Sequence, residues 1–330
     1  MDTIKNKIRN LKRLAFTNSV ARKTLAKKEV QSIIRQRKKI GNDVDHYSDK
    51  YWNNLDLVQK YICKNSTDDD RIIWQIDALN RFKDKIPFSE CLVIGCGNGW
   101  VERQLYDLGI GKHFDAFDIS EKYLETAEKE KEGRNITYFI DDINNLEKLH
   151  KNKYDAVFNV GVLHHTFRMT KALWQILQSL KLDGLLFNYE YVGPAQNQYS
   201  DEHLKIMQRI NESLPERFRT KYDLRPPKEA FALGDPSEAV NADLVKPTIE
   251  RFFDIAYQRN LNGGIAYQIL WNNIDEFNKN DELSAKTLKY LIKKDEELTD
   301  GKKIPVLFWY SVCKPKRKES IRNFDLLPSK

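Results

Sequence analysis

The sequence lacks long apolar runs and paired cysteine motifs. Its 330 residues include four cysteines and no CxxC pair, so neither a disulfide framework nor a zinc ribbon is indicated. No stretch approaches the roughly 18 apolar residues of a membrane-spanning helix, and the first residues lack the apolar segment of a secretory signal. With 41% hydrophobic and 31% charged residues, a disordered or fibrous chain is excluded. We therefore expect a globular protein of the reducing cytoplasm.

Acidic residues are scarce in the first part of the chain. Residues 1–40 contain 13 lysines and arginines against Asp2 and Glu29, a net charge of +11, whereas the whole chain carries +7. Apolar residues at three- and four-residue spacings predict a basic helical arm over 1–45. Such an arm either binds an anionic surface, which is the inner face of the membrane or an acidic partner, or packs on the domain as a solvated helix. No nucleic-acid partner is expected, because no interleaved aromatic residues accompany the charge.

From about residue 90, short β-type runs alternate with amphipathic segments, which predicts a parallel α/β sheet. The predicted strands are 91–94, 113–117, 136–140, 154–160, 184–189, 252–257 and 306–312. The predicted helices are 100–108, 120–132, 144–150, 163–180, 265–277 and 283–298. Proline-containing polar stretches predict a helical insertion, or lid, after the fifth strand. The expected divisions are a basic arm, a core with N-terminal helices, a helical insertion, a C-terminal core and a tail: 1–45, 46–192, 193–250, 251–316 and 317–330.

A glycine-rich turn directly follows the first predicted strand and opens a helix. Glycines there allow positive φ and close approach of a ligand to backbone amides at the helix N-terminus. Asp118, followed by Ile119, ends the second strand 19 residues beyond the last glycine, where a carboxylate can accept both hydrogen bonds of a ribose diol. The predicted ligand-binding turn consists of Gly95, Cys96, Gly97, Asn98 and Gly99.

The next two strands also end in candidate ligand-binding residues. After the third strand, Asp141 or Asp142 can accept a hydrogen bond from an adenine amino group, and Ile143 can cover the ring. The fourth strand ends beside the expected reactive end of a cofactor. Its candidate residues are Asn159, Val160 and Gly161.

In these residues the sequence resembles the class I S-adenosylmethionine-dependent methyltransferases, over about 88–192 and 250–314. The resemblance implies S-adenosyl-L-methionine as cofactor, S-adenosyl-L-homocysteine as product, and a Rossmann-like sheet of seven strands with the seventh inserted antiparallel. One position departs from the family: Ile94 stands where many members carry an acid. A nicotinamide dinucleotide enzyme is the competing interpretation, but it favours GxGxxG, whereas this chain has GxGxG followed by Trp100.

Transfer of a methyl group to a hydroxyl requires removal of the acceptor's proton, which a neutral imidazole suits. His164 and His165 follow the fourth strand and are the candidate bases, although one of them could instead shape the pocket. Glu190, at the end of the fifth strand, is the second candidate and could instead bind acceptor hydroxyls. No set of metal ligands with convincing spacing is present, so no metal is predicted.

The region after the fifth strand resembles a subgroup of these enzymes associated with bacterial surface-glycan assembly. This implies O-methylation of a saccharide or of a nucleotide- or lipid-linked glycan precursor. Two alternatives are a methyltransferase of a small hydroxyl- or carboxylate-bearing metabolite and a non-catalytic scaffold of a glycan-synthesis complex. Within this region, Asp235 and Glu238 match a capping box with proline at the first helical position, which predicts the start of a helix.

Overall fold

The computed structural model describes residues 52–233, 235–271 and 273–321. The predicted basic arm lies outside these residues, as do 46–51 of the predicted core and 322–330 of the predicted tail. Among the described residues, no helix combines the length and the apolar character that crossing a bilayer requires. The predicted contact of the basic arm with a membrane therefore stays a prediction.

Seven strands form one sheet. They are β1 (Cys91–Ile94), β2 (Phe114–Asp118), β3 (Ile136–Ile140), β4 (Tyr154–Val160), β5 (Leu180–Tyr191), β6 (Phe253–Asn262) and β7 (Phe308–Pro315). Their order is β3-β2-β1-β4-β5-β7-β6. Strands β1 to β5 are parallel, and β7 runs antiparallel to both β5 and β6. The predicted α/β fold with an antiparallel seventh strand is thereby confirmed. The strand order reverses between β1 and β4, where open α/β sheets form their ligand crevice.

Helices cover both faces of the sheet and fill most of the insertion. They are α1 (Asp56–Thr67), α2 (Trp74–Arg81), α3 (Trp100–Asp107), α4 (Glu121–Glu130), α5 (Met169–Ser179), α6 (Asp201–Ser213), α7 (Lys228–Leu233), α8 (Ala242–Phe252), α9 (Ala266–Trp271), α10 (Ile274–Phe277) and α11 (Glu282–Asp300). The helical character predicted for the insertion is confirmed by α6, α7 and most of α8. The single helix predicted over 163–180 is wrong, because a separate 3-10 turn, Leu163–His165, precedes α5.

The central strands are apolar because both faces of the sheet are covered. Every residue of β1 is buried, and the rings of Phe158 and Phe187 on neighbouring strands stack with centroids 4.8 Å apart. A strand buried on both faces has a continuous apolar run in place of alternation. Burial of each such side chain contributes roughly 1.5–3 kcal/mol, so the sheet fixes the positions of its strand ends firmly.

The insertion shares an apolar cluster with neighbouring helices of the chain. Met207 and Phe218 are fully buried there together with Ile269 and Leu291 from the helices between β6 and β7. Trp52, the first described residue, belongs to the same cluster. Helix α8 then packs against α5 of the sheet layer. These contacts attach the insertion to the fold at the edge where β4 and β5 end.

The short helix predicted over 144–150 is absent. The Asp141 carboxylate instead accepts hydrogen bonds from the backbone amides of Glu147 (3.2 Å) and Lys148 (3.0 Å). The Asn144 side chain accepts another from the amide of Phe167 at 2.7 Å. Aspartate and asparagine side chains compete in this way with the helical pattern of backbone bonds. The segment is therefore a turn held by side chains.

Candidate active site

The turn between β1 and α3 requires glycine at three positions. Gly95, Gly97 and Gly99 have φ values of +57°, +55° and +83°, which side chains rarely adopt. A Cβ atom on Gly95 would lie 2.6 Å from Cγ1 of Val162, and one on Gly99 would lie 2.5 Å from the hydroxyl of Tyr138. The absence of these Cβ atoms therefore lets the loop after β4 lie directly against the glycine turn.

Asp118 is joined to the same turn. Its Oδ2 accepts a hydrogen bond from the Gly97 amide at 2.9 Å, and its Oδ1 accepts one from the Ser120 amide at 2.9 Å. Asp118 and the following Ile119 are half-buried. A carboxylate offers about four lone-pair directions, so Asp118 can accept several donors at once. The fold thus brings together the glycine turn and the acid that the sequence predicted as its partner.

The other two residues of the turn have different surroundings. Cys96 is buried, and this burial raises the pKa of its thiol well above the ordinary value, so it packs in the core. The Asn98 carbonyl accepts a hydrogen bond from Nη1 of Arg103 at 2.7 Å. Its buried side-chain oxygen, in contrast, has no hydrogen-bond partner among the described residues. A buried acceptor of this kind suits a donor from a bound ligand.

Of the three candidate residues after β3, two are buried within the fold and one is half-buried. Asp141 is buried, and its carboxylate is occupied by the backbone amides of the turn that follows. Ile143 is buried in the apolar core. Asp142 is half-buried and binds both the amide and the side chain of Asn144 through Oδ1. Of the two predicted adenine-side acids, Asp142 is therefore the better placed to meet a ligand.

The end of β4 also combines a buried residue with an open one. Asn159 is fully buried, and its side-chain amide donates to Asn188 (2.7 Å) and to Glu190 (2.9 Å). Val160 is half-buried, whereas Gly161 is exposed, has φ of +69° and would meet no atom within 4 Å of an added Cβ. Gly161 thus borders open space, while Asn159 holds the strand ends together.

His164 and Glu190 form a buried pair at the ends of β4 and β5. Nδ1 of His164 lies 2.5 Å from Oε1 of Glu190, which has no exposed surface. The same carboxylate accepts hydrogen bonds from the amides of Leu163 and Tyr191, both at 2.7 Å, and from Asn159. Because Glu190 is saturated and enclosed, its position is that of a group that orients the His164 ring. This differs from the expected role as base or acceptor ligand.

His165 is oriented by the insertion. Its Nδ1 lies 3.0 Å from the hydroxyl of Ser237, which donates to Oδ1 of Asp235 at 2.6 Å. The rings of His164 and His165 have centroids 4.2 Å apart. The insertion therefore meets the sheet at this pair of histidines.

Glu238 is the site residue that the sequence analysis missed. Its Oε1 lies 3.9 Å from Nε2 of His164, and its Oε2 lies 3.7 Å from Nε2 of His165. The predicted capping box is wrong: residues 236–240 form a turn, in which Asp235 accepts from the Ser237 amide, and α8 begins only at Ala242. Asp235 and Glu238 can be recognised in the sequence, but their three-residue spacing favoured the start of a helix over a contact with the turn after β4.

Carboxylates dominate the electrostatics of this cluster. Burial disfavours the charged form of His164, but the charge and hydrogen bond of Glu190 outweigh it and raise the pKa of His164 to about 9. Desolvation raises the pKa of Glu238; His164 opposes this shift, and the nearby charge of Asp235 adds to it. The site thus has a negative field that stabilises a cationic group.

Comparison with known proteins assigns the class of the core. Residues 92–188 match the family model described as a methyltransferase domain. Together with the sheet order, this match shows a class I S-adenosylmethionine-dependent methyltransferase domain. The predicted fold, the enzyme class (EC 2.1.1) and the cofactor are confirmed at the level of this domain. The matches do not support the resemblance to a glycan-assembly subgroup.

Curated relatives match part of the chain. The malonyl-[acyl-carrier protein] O-methyltransferase of Bacillus cereus is 28% identical over 95 residues, 29% of this chain and 35% of that protein. The enzyme of the same name from Bacillus anthracis is 25% identical over 145 residues, 41% of this chain and 51% of that protein. That from Halalkalibacterium halodurans is 32% identical over 106 residues, 31% and 39% of the two chains. This chain thus spans about a third to a half of the length of these relatives.

Solved structures show distant likenesses. An S-adenosylmethionine-dependent methyltransferase from Mesorhizobium loti is 17% identical with a TM-score of 0.45, covering 73% of this chain and 98% of that chain. Phosphoethanolamine N-methyltransferase 2 of Haemonchus contortus, in complex with S-adenosyl-L-methionine, is 16% identical with a TM-score of 0.45, covering 84% and 60%. These likenesses are too distant to bear on the acceptor.

Proposed function

We propose that this chain is an S-adenosylmethionine-dependent O-methyltransferase that methylates a hydroxyl group of a saccharide, either free or as a nucleotide- or lipid-linked glycan precursor. The observation that carries the proposal is the contact between the glycine turn, where the cofactor would bind, and the loop after β4, which carries the two histidines. Val162 lies against Gly95 of the glycine turn, and two residues later the same loop presents His164 to Glu190. A cofactor in the crevice and an acceptor at the histidines would therefore be neighbours.

The cofactor half uses the residues predicted from the sequence. Asp118 would bind the ribose hydroxyls, and Asp142 would face the adenine amino group. The positive-φ turn at Gly95, Gly97 and Gly99 would carry the remainder of the ligand, with the partnerless oxygen of Asn98 as a further acceptor. These assignments fit a cationic, donor-bearing ligand, because each of the side chains offers oxygen acceptors.

The reaction is a displacement at the methyl carbon. A lone pair on the acceptor oxygen forms the new carbon–oxygen bond, the carbon–sulfur bond breaks, and its electron pair goes to sulfur, which loses its positive charge. The acceptor's proton leaves to His165 or Glu238, because the raised pKa of His164 keeps that ring protonated near neutral pH. Glu190 contributes by fixing the His164 ring, since a misplaced group would lose the in-line geometry on which such a transfer depends.

The charge of the cluster favours a hydroxyl over a carboxylate acceptor. Glu190, Glu238 and Asp235 all lie near the two histidines, so an ionised acceptor would meet like charges. A carboxylate also needs no proton removed before methylation, whereas a hydroxyl does. The relatives named for malonyl-[acyl-carrier protein] have a carboxylate acceptor in their name, and methyl esterification of such a substrate is the second candidate to test.

Two measurements test the proposal. Calorimetric titration with S-adenosylmethionine and S-adenosylhomocysteine should show binding that Asp118→Ala weakens. Transfer of a labelled methyl group should then occur to nucleotide sugars or lipid-linked sugars and not to malonyl-acyl-carrier protein. Labelling of the carrier protein alone would replace the saccharide assignment with esterification. Absence of cofactor binding would leave a non-catalytic scaffold.

A further inference from the structure

Three side chains of types that can ligate a metal ion come from two distant parts of the chain and meet above the ends of β4 and β5. His164 and His165 belong to the turn after β4, and Glu238 belongs to the insertion. One ligand atom from each of the three lies within 4.8 Å of the others. Such convergence between segments more than 70 positions apart arises from folding and is invisible to any local spacing rule.

The distances within the cluster fit a shared ion better than direct hydrogen bonds. Both histidine–Glu238 separations, 3.9 Å and 3.7 Å, exceed the 2.7–3.2 Å or so of an N–H···O hydrogen bond. Nitrogen and oxygen donors bind zinc at about 2.0–2.2 Å, which places two donors of one ion about 3–4 Å apart. The two histidine–Glu238 separations lie within that interval, and the three ligand atoms of the cluster lie within 4.8 Å of one another.

Both histidines are held for ligation through Nε2. An ionised carboxylate only accepts hydrogen bonds, so Nδ1 of His164 donates to Glu190, and Nε2 faces Glu238 at 3.9 Å, where a bound metal ion would take the place of the Nε2 proton. The Ser237 hydroxyl donates to Asp235, so it accepts from Nδ1 of His165, which leaves the lone pair on Nε2. Metal-binding histidines are commonly oriented by a hydrogen bond from the other ring nitrogen in this way.

The charge of the cluster also calls for a cation. Three carboxylates, Glu190, Glu238 and Asp235, surround the two imidazoles. Among the ion pairs formed by residues 52–233, 235–271 and 273–321, none joins a lysine or arginine to these three carboxylates. An uncompensated group of carboxylates is costly at a partly buried site unless a cation neutralises it.

We propose that His164, His165 and Glu238 bind one divalent first-row transition-metal ion. Two imidazole nitrogens and one carboxylate suit zinc, iron(II), cobalt or manganese better than magnesium or calcium, which prefer oxygen ligands. Three protein ligands leave coordination positions for the acceptor oxygen. The role in catalysis rests on the proposed function: a bound metal lowers the pKa of a coordinated acceptor hydroxyl, and because the three side chains are then occupied as ligands, the proton passes to solvent before the oxygen attacks the methyl carbon.

The test measures metal binding without the reaction. The full chain, stripped with a chelator, is titrated with Co²⁺ while its visible absorption is recorded, and Zn²⁺ is then added as competitor. We expect one equivalent of Co²⁺, displaced by Zn²⁺. His165→Ala and Glu238→Gln should weaken Co²⁺ binding at least tenfold, and the exposed His150→Ala is the matched control that should leave it unchanged.

Ser237→Ala provides an independent variant that keeps all three ligands. Loss of its hydroxyl removes the partner of His165 Nδ1 and should weaken Co²⁺ about 10- to 100-fold. The proposal is overturned if the wild-type chain does not bind stoichiometric Co²⁺, or if Glu238→Gln binds Co²⁺ as tightly as the wild type. Protonated histidines would then be the cation of the cluster. Because S-adenosylmethionine binding is titrated separately, failure of the metal site and failure of the methyltransferase assignment are distinguishable.

Discussion

Glu102, in the first turn of α3, gives a prediction whose size follows from its surroundings. Its side chain has no exposed surface, and the hydroxyl of Tyr138 and the charge of Arg103 only partly offset the cost of burying its carboxylate. Burial raises the pKa of Glu102 from 4.5 to about 7. Replacement by glutamine keeps the size and shape of the side chain and removes its ionisation.

The sign and size of the effect follow from proton linkage. Between about pH 4.5 and pH 7 the unfolded chain releases the Glu102 proton while the folded chain retains it, so stability falls as the pH rises through this interval. The rise of the Glu102 pKa from 4.5 to about 7 corresponds to about 3 kcal/mol, at about 1.4 kcal/mol for each tenfold change in proton affinity. Glu102→Gln should therefore gain about 3 kcal/mol relative to the wild type between pH 4.5 and pH 8.

Urea unfolding at several pH values measures this difference. The stability of Glu102→Gln minus that of the wild type should increase with pH and level off above pH 7. Glu125→Gln, at an exposed position on α4, is the control and should show no comparable trend. Parallel pH profiles for Glu102→Gln and wild type would refute the reasoning, because they would mean that Glu102 ionises normally in the folded state.

Three further predictions concern the site. Asp118→Ala should weaken S-adenosylmethionine binding by roughly 1–3 kcal/mol in calorimetry, because charge-assisted hydrogen bonds are lost; unchanged affinity would reject its assignment to the ribose. His165→Ala should lower turnover about 10²- to 10⁴-fold while cofactor affinity stays, and full activity would exclude it from acceptor activation. Gly95→Ala should lose more stability than Gly133→Ala, since both have positive φ but only Gly95 meets a neighbour; equal losses in thermal unfolding would contradict the close approach of Val162.

The strands could be predicted well where burial determines the pattern. The bounds predicted for β1, β3 and β4 agree with the structure residue for residue, because apolar runs between turn residues leave few alternatives. Glycine spacing and the acid at the end of β2 were predicted to line one ligand site, and the structure brings them together through the hydrogen bond from the Gly97 amide to Asp118. In these cases the physical cause lies within a short stretch of sequence.

Elements held by side chains could not be predicted in the same way. The turn at 144–150 depends on acceptors from Asp141 and Asn144, which override the helical periodicity. The partner of the two histidines, Glu238, comes from an insertion whose docking depends on tertiary contacts of α8. Periodicity indicates which face of a helix is buried, but it carries no information about which distant loop will meet that face.

The position of Glu238 on the insertion has a consequence for amide hydrogen exchange. Because the cluster is divided between the sheet and the insertion, any ligand that bridges both parts binds only the docked arrangement and so stabilises it by mass action. Amide protons of α8 should then exchange more slowly as the ligand concentration rises, while those of β1 should be little affected. Protection of a helix far along the chain from the glycine turn would thus report occupancy of the acceptor site.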